Sequence, residues 1–310
     1  MKAIRFILLL LVASSFTFPA KEVKLEYAFK VGDQYDWIQS STQKVKQEIP
    51  GMGEMTVDVQ LTGEMKLNVK ELTPTGARFE AQYTKLKMNT KNSMGMGDTS
   101  MDSEATDDGM QTKLVKAMMG KTFSFKMSKQ GVIEAVEGTD NLYSGFSALG
   151  LDEAALAGAK QSFQQTLGEK SLKASFEMAL INYPEKKIKI GDSWQSTGNL
   201  AMNFPVKIEN TWNLKSHDAT SATVDAEGVL TTTDKEKEVS LPNGMKSKFD
   251  LNGRQMLSGA VDVKTGFPSE IKVISEIKGS MTLLAGGMIP EDMLVPMEIT
   301  SESSYKMIKK

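Results

Sequence analysis

The chain of 310 residues contains no cysteine and a single histidine, His217. The absence of cysteine excludes disulfides, thiolate metal sites and thiol nucleophiles. One histidine excludes any metal site with two histidine ligands. No G-x-S-x-G elbow accompanies His217, and we interpret it as an exposed turn residue rather than a catalytic base. The composition therefore favours a non-enzymatic protein without a cofactor.

The chain also lacks an excess of either charge, since it contains 37 Lys and Arg residues and 39 Asp and Glu residues. A balanced chain without a basic run predicts no nucleic-acid surface. Long apolar runs are equally scarce, and no segment after the N-terminus is apolar enough to span a bilayer, which takes about 20 helical residues.

The N-terminus has its own pattern. Lys2 and Arg5 precede an apolar run at residues 6–12, and small residues follow it. This order is typical of a secretory signal peptide, which we assign to residues 1–20, with a retained membrane anchor as the alternative. We therefore expect an exported, soluble protein, periplasmic or extracellular, with no transmembrane segment after cleavage. Without cysteine, it is not expected to be a lipoprotein.

Most of the remaining chain alternates apolar and polar residues with a period of two. Leu25, Tyr27 and Phe29 follow this pattern, and later segments repeat it. Such alternation predicts antiparallel strands that are buried on one face and wet on the other. We predict a mainly β (α+β) fold, a large curved antiparallel sheet or half-barrel, with a few helices packed on it.

Residues 139–183 depart from this period. Leu156, Phe163 and Leu167 lie at helical spacing, which predicts helices on the sheet. We divide the chain into a first β half (21–138), a helical connector (139–183) and a second β half (184–310), the two halves forming one structural unit.

The two β halves share a motif. Residues 29–35 and 188–194 both read apolar-Lys-apolar-Gly-Asp-x-aromatic, and further matches follow in the same order. This order predicts a duplicated β-meander, although sheet proteins also share alternation and turn residues without duplication. In this motif we assign structural turn roles to Gly32, Asp33, Gly191 and Asp192.

A Met- and Asp-rich stretch at residues 89–110 is the least ordinary feature. Thioethers are soft ligands that select Cu(I), so Met94, Met96 and Met101 are candidate copper ligands. The alternative is a mobile polar loop whose Gly, Ser and Asp residues form turns. A further set could line an aromatic platform but is more typical of a β core: Tyr35, Trp37, Trp194 and Trp212.

The exported N-terminus, the Lys-x-Gly-Asp-x-aromatic repeat, and the segments 123–132 and 261–268 resemble the DUF6263 family, common in Bacteroidota. The resemblance implies no known activity and no catalytic residues. At the level of fold it is similar to the LolA/LppX class of lipoprotein carriers, which is weak evidence for function.

Three hypotheses follow. The first is an envelope protein that binds a hydrophobic small molecule or lipid on its curved sheet. The second is a structural module that contacts an envelope protein partner. The third is Cu(I) binding through the Met-rich stretch.

Overall fold

The computed structural model describes residues 22–95, 97–199, 206–241, 244–286 and 290–310. The predicted signal peptide therefore lies outside the described residues. The strands are β1 (Gln34–Ile49), β2 (Gly53–Leu72), β3 (Gly76–Asn92), β4 (Thr99–Asp102), β5 (Thr122–Ser128), β6 (Ile133–Glu137), β7 (Ser193–Asn199), β8 (Val206–His217), β9 (Ser221–Thr232), β10 (Val239–Ser240), β11 (Lys246–Asp262), β12 (Pro268–Leu283) and β13 (Met293–Lys309). The helices are α1 (Met110–Met118), α2 (Glu153–Leu167) and α3 (Glu169–Met178), with two 3-10 turns, Thr139–Tyr143 and Phe146–Leu149, before α2.

The 13 strands of the described residues join one antiparallel sheet in the order β6-β5-β3-β2-β1-β13-β12-β11-β9-β8-β7, with β4 beside β3 and β10 beside β11. Across the described residues, the edge strands β6 and β7 do not pair with each other, so the sheet is open. Helix α3 packs against both edge strands. The prediction of a mainly β fold with a large antiparallel sheet is confirmed.

Two meanders run in the same direction across this sheet. Unit one consists of β1, β2, β3, β5 and β6, and unit two consists of β7, β8, β9, β11 and β12. Strand β13 lies between the first strand of unit one and the last strand of unit two. The two units therefore share one hydrogen-bonded sheet.

Each unit begins with the same turn. Gly32 and Gly191 have φ angles of 89° and 90°, in the left-handed region that glycine adopts without a steric penalty. The N–H of Gly32 donates to the carbonyl of Val69 at 2.9 Å, and the N–H of Gly191 donates to the carbonyl of Leu214 at 2.9 Å. A register shift follows both acceptor residues. The repeated motif therefore builds the same local structure twice.

Residues 22–30, which we call the strap, cross the end of the sheet where these turns lie. The N–H of Tyr27 donates to the carbonyl of Lys129, and the N–H of Ala28 donates to that of Thr265, both at 2.8 Å. Lys129 follows β5 in unit one, and Thr265 follows β11 in unit two. The strap thus binds to corresponding turns of both units.

The main core lies on the inner face of the sheet, under the helices and the strap. Aromatic rings dominate it: Phe125 stacks on Phe79 at 4.8 Å and on Phe176 of α3 at 4.6 Å. Trp37 packs edge-on against Phe176 at 5.4 Å. All four candidate platform aromatics are buried in this core: Tyr35, Trp37, Trp194 and Trp212.

A second core lies on the same inner face, farther along the strands of unit two and β13. Its members are aliphatic side chains, methionines and one phenylalanine. They are Val206, Ile208, Leu230, Val239, Phe249, Leu251, Ile277, Met281, Leu283, Val295, Met297 and Ile299.

The Met-rich stretch is not a single loop. Strand β3 continues to Asn92, and β4 pairs back onto it. The hydroxyl of Ser100 donates to the Asn89 side chain at 2.8 Å, and Asp98 accepts from the N–H of Asn92 at 2.7 Å. These polar side chains form hydrogen bonds with backbone and side-chain groups of the short β3–β4 hairpin. The bonds explain how a polar segment can continue as a strand.

Candidate functional site

A row of small and polar residues separates the main core from the second core. Its members are direct cross-strand partners on seven successive strands, from β1 to β7, and their places in the alternation put them on the inner face. In order they are Gln43, Ser301, Ser275, Gln255, Gly228, Asn210 and Ser196. We call this set the polar row.

The unit-two end of the polar row is held by hydrogen bonds. The side-chain amide of Gln255 donates to Asn210 Oδ1 at 2.7 Å. The indole N–H of Trp212 donates to the hydroxyl of Ser196 at 2.9 Å. Gly228 lies between them because a Cβ there would sit 2.3 Å from Asn210 Oδ1. The Oε1 atom of Gln255 is buried and has no hydrogen-bond partner among the residues that the structure describes.

A cavity of about 20 Å³ adjoins this end of the row, lined in part by Asn210, Gln255 and Glu177 of α3. The Glu177 carboxylate is 3.8 Å from Lys173 Nζ. Burial raises the pKa of Glu177 above its ordinary value, and Lys173 offsets part of that rise. The helix therefore places the Glu177 carboxyl group beside the polar row, where burial disfavours its charged form. The adjoining cavity is too small for more than about one water-sized molecule.

The outer face of the sheet carries a much larger concavity over the same row. A groove of about 700 Å³ crosses β3, β2, β1, β13 and β12, where strand residues flanking the polar row point outward. We call it the outer groove. Its lining is Thr42, Gln43, Lys44, Asp58, Val59, Gln60, Asn89, Lys91, Ile274, Ser275, Glu276, Thr300, Ser301 and Glu302.

A second depression of about 490 Å³ continues the outer groove over β9, β11 and β12. The two concavities share Ile274 and Glu276. Three apolar side chains stand open in the second depression or at the junction: Val229 is 55% exposed, Met256 60% and Ile274 43%. The combined groove is consequently amphipathic. Its lining over unit one is polar and charged, whereas over unit two the three exposed apolar side chains lie beside Glu227, Arg254 and Glu276, and we call this second region the apolar part.

Charges of both signs line the groove. Lys44 and Asp58 form an ion pair at 3.6 Å in the polar part. Arg254 and Glu276 occupy opposite positions on β11 and β12 in the apolar part, but no salt bridge joins them. These exposed charges could pair with a zwitterionic or charged group on a ligand, while the apolar end could bind a hydrocarbon segment.

The turn residues predicted from the repeat lie at one end of the sheet, away from the groove. Asp33 Oδ2 is 2.7 Å from Lys309 Nζ and 3.4 Å from the hydroxyl of Tyr35. Asp192 Oδ2 accepts the N–H of Lys189 at 3.1 Å. With Gly32 and Gly191 they shape the turns.

The two candidate copper ligands that the structure describes, Met94 and Met101, lie in a turn and in strand β4. Met101 in β4 pairs with Met88 and packs against the main core. Met94 lies beyond the end of β3, where its N–H donates to the Asn92 side chain at 2.9 Å. Met96 lies outside the described residues, so Cu(I) binding stays a prediction. The interpretation of His217 as an exposed turn residue is wrong, since His217 is the last residue of β8, is half-buried and directly precedes the turn.

Sequence reasoning missed the apolar part of the groove. The available signal was a break in alternation, because Met256 lies next to buried Leu257 and Ile274 lies next to buried Val273. Two adjacent apolar residues in a strand place one of them on the outer face. No helix among the described residues is long and apolar enough to cross a membrane.

The architecture is that of a large open antiparallel sheet with a helical insert, and comparison with family models agrees with the resemblance found in the sequence. The chain belongs to the DUF6263 family, a family of unknown function whose model matches residues 74–268. No curated protein matches the chain.

Solved structures show only distant likeness. A lipovitellin structure concerned with lipid–protein interactions is similar with a TM-score of 0.47 and 10% identity, over 91% of this chain and 25% of that chain. This chain thus spans about a quarter of that protein's length. An outer membrane channel from Pseudomonas putida F1 gives a TM-score of 0.25 and 9% identity, over 91% and 97% of the two chains. TM-scores below 0.5 at these identities establish neither a shared fold nor a shared function.

Proposed function

We propose that this protein binds an amphipathic, lipid-like molecule in the outer groove, as a non-enzymatic binding protein. The observation that carries the proposal is the concentration of exposed apolar side chains, Val229, Met256 and Ile274, at the unit-two end of a groove that is lined by polar and charged residues over unit one. An extended molecule with a polar head and a hydrocarbon tail matches that arrangement.

The inner face is a less suitable place for such a ligand. Aromatic rings and α3 fill the main core, and the cavity beside the polar row holds only about 20 Å³. A binding pocket for a drug-sized molecule measures about 300–1,000 Å³. At about 700 Å³ the outer groove falls within that range.

The test is a titration with a fluorescent lysophospholipid kept below its micelle concentration. Met256→Glu and Ile274→Glu place charges in the apolar part of the groove. Since both side chains are exposed, the fold should tolerate the two substitutions. We expect the double variant to bind the lysophospholipid at least about tenfold more weakly, because each methylene buried on binding contributes about 0.8 kcal/mol.

Leu294→Glu is the matched control. Leu294 is 57% exposed and lies on the same outer face of β13, outside the groove lining. It should retain wild-type affinity. Absence of saturable binding to the wild-type protein, or equal loss in the control, would contradict the proposal.

The filled interior favours a second candidate function, a protein-interaction module. In that case the exposed side chains of Val229, Met256 and Ile274 would contact a partner protein. Retention of one defined envelope protein by the wild-type chain and the Leu294→Glu variant, but not by the groove variants, together with a lack of lysophospholipid binding, would favour this alternative.

The proposal places the protein outside the cytoplasm. Its support is the order of basic, apolar and small residues at the start of the chain. Mass spectrometry of the protein from an envelope fraction should find an N-terminus near residue 21; a chain that retains Met1 in the cytoplasm would contradict export.

A further inference from the structure

Exposed aliphatic side chains recur at the end of the sheet where the repeated turns lie. Val31 and Ile190, which occupy equivalent positions of the two motifs, are 61% and 52% exposed. The turn requires the glycine that follows each of them, but it does not require an aliphatic side chain at the position before that glycine. Val132, in the turn between β5 and β6, is a third such residue, 46% exposed.

Lysines accompany each of these aliphatic residues. The four turn segments 30–32, 129–132, 186–190 and 264–266 contain six lysines and no acidic residue. All six are exposed, and none forms a salt bridge with any residue that the structure describes. They are Lys30, Lys129, Lys186, Lys187, Lys189 and Lys264. Exposed acids flank these segments at Glu22, Glu134, Glu185 and Asp262.

The strap gathers these segments at one place. Its residue Tyr27 is hydrogen-bonded to Lys129, and Ala28 is hydrogen-bonded to Thr265, beside Lys264. Val23 pairs with Ile188, which lies between Lys187 and Lys189. Lys30 is the last residue of the strap. We call this surface, formed by the four turn segments, the basic rim.

We propose that the basic rim docks on an anionic lipid bilayer surface. Lysines near such a surface each strengthen binding by about 1 kcal/mol, or about fivefold. Short aliphatic side chains among them can enter the boundary between headgroups and acyl chains. A soluble anion would be attracted by the lysines but would not require Val31, Val132 and Ile190.

Co-sedimentation with sucrose-loaded vesicles tests this proposal. We would compare vesicles of phosphatidylcholine with 30% phosphatidylglycerol against phosphatidylcholine alone, using protein purified from its host. The wild-type protein should bind the anionic vesicles and lose that binding at high salt.

Variants of the basic rim separate the apolar contribution from the ionic one. The triple variant Val31→Ser, Val132→Ser, Ile190→Ser keeps every charge and should bind the anionic vesicles about tenfold more weakly. Lys186→Gln with Lys187→Gln should weaken binding by roughly 25-fold.

Two controls separate this surface from others. Leu294→Ser removes an exposed aliphatic side chain from the opposite end of β13 and should bind vesicles like the wild type. The groove variant Met256→Glu with Ile274→Glu should also bind vesicles, so failure of the groove proposal and failure of the rim proposal give different results. Absence of binding to anionic vesicles would overturn the proposal. Equal binding by the wild-type protein and the serine variant, as expected for an apolar N-terminal anchor or for a purely ionic attraction, would also overturn it.

Discussion

The two units place different side chains at the same point of the same architecture. In unit one, Trp37, Met65 and Tyr83 form a cross-strand row. Counting from the equivalent turns, the matching row of unit two is Ser196, Asn210 and Gly228. Large buried apolar groups in one unit thus correspond to small or polar groups in the other.

This difference affects how each unit is packed. The bulky row of unit one meets Phe176 of α3 in the main core. The polar row of unit two is held by its own hydrogen bonds instead, and Gly228 and Gln255 of that row also border the depression on the outer face. The shared Gly-Asp turns build the same local structure twice, whereas the rows that follow differ in the size and polarity of the side chains that they bury.

Exchanging row residues should have the largest effect. Trp37→Ser introduces at the Trp37 position the residue type of its counterpart in unit two, Ser196. The change removes an indole that is 3% exposed. We expect a loss of about 4 kcal/mol in the free energy of unfolding, measured by urea denaturation, because a large cavity remains in an aromatic core. Ser196→Ala removes only the acceptor of the Trp212 N–H and should cost about 1 kcal/mol. Equal losses would show that the two rows do not differ in packing.

The turns offer a second comparison, with a somewhat smaller effect. Gly131 has a φ of 87°, and a Cβ there would lie 2.5 Å from the Ile181 carbonyl oxygen and 2.6 Å from the Tyr27 ring. At Gly32 and Gly191 a Cβ would meet nothing within 4 Å. Gly131→Ala should therefore destabilise by about 3 kcal/mol, through both backbone strain and the clash.

Gly32→Ala and Gly191→Ala should each cost only about 1 kcal/mol, from the backbone strain alone. Thermal or urea unfolding of the three variants tests both statements. Unequal losses at Gly32 and Gly191 would mean that the two copies of the turn are not energetically equivalent.

The sequence was sufficient to predict most of the strands, the helical insert and the duplicated turn. The strand predicted from the alternation of Leu25, Tyr27 and Phe29 is wrong, because these residues lie in the strap, which is extended chain with a single isolated bridge, Val23 to Ile188. Alternation, helical spacing and the Gly-Asp motif are local patterns, and local patterns report local structure. The polar row is different. Ser196, Asn210, Gly228 and Gln255 are far apart in the chain and each is ordinary in its strand. Only the register of the sheet aligns them, and register depends on the hydrogen-bonded partners rather than on neighbours in sequence.

The groove was hidden for the same reason. Val229, Met256 and Ile274 occupy outward positions on three strands, and only the sheet order makes them neighbours. A single outward apolar residue is common on protein surfaces and predicts nothing by itself. Three together over a concave surface are the basis of the groove proposal.

A third prediction concerns variants that make the polar row apolar, like the row of Trp37, Met65 and Tyr83 in unit one. Asn210→Leu alone leaves the buried Gln255 amide without its acceptor and should cost about 2 kcal/mol. The double variant Asn210→Leu, Gln255→Met replaces both partners by apolar groups of similar shape. It also removes the Gln255 Oε1 acceptor, which no described residue pairs. We expect it to be within about 1 kcal/mol of the wild-type protein. A double-mutant cycle by urea unfolding measures the coupling; strictly additive losses would contradict it.

The smallest expected effect concerns α3, which directs Phe176 to unit one and Glu177 toward the polar row of unit two. Burial disfavours the carboxylate, so the folded protein binds a proton at Glu177 more tightly than the unfolded chain does. The wild-type protein should therefore lose stability relative to Glu177→Gln as the pH rises above the ordinary value of 4.5, and the two proteins should converge in stability below it.

Glu298 is the control, because its pKa is shifted in the opposite direction. The hydrogen bond from Lys278 lowers the pKa of Glu298. Glu298→Gln should consequently become destabilising as the pH rises toward 4.5, and its effect should stay constant above that value. Urea unfolding of both variants between pH 3 and pH 8 would show curves that diverge in opposite directions, and parallel curves would mean that the carboxyl group beside the polar row is as well solvated as one on the surface.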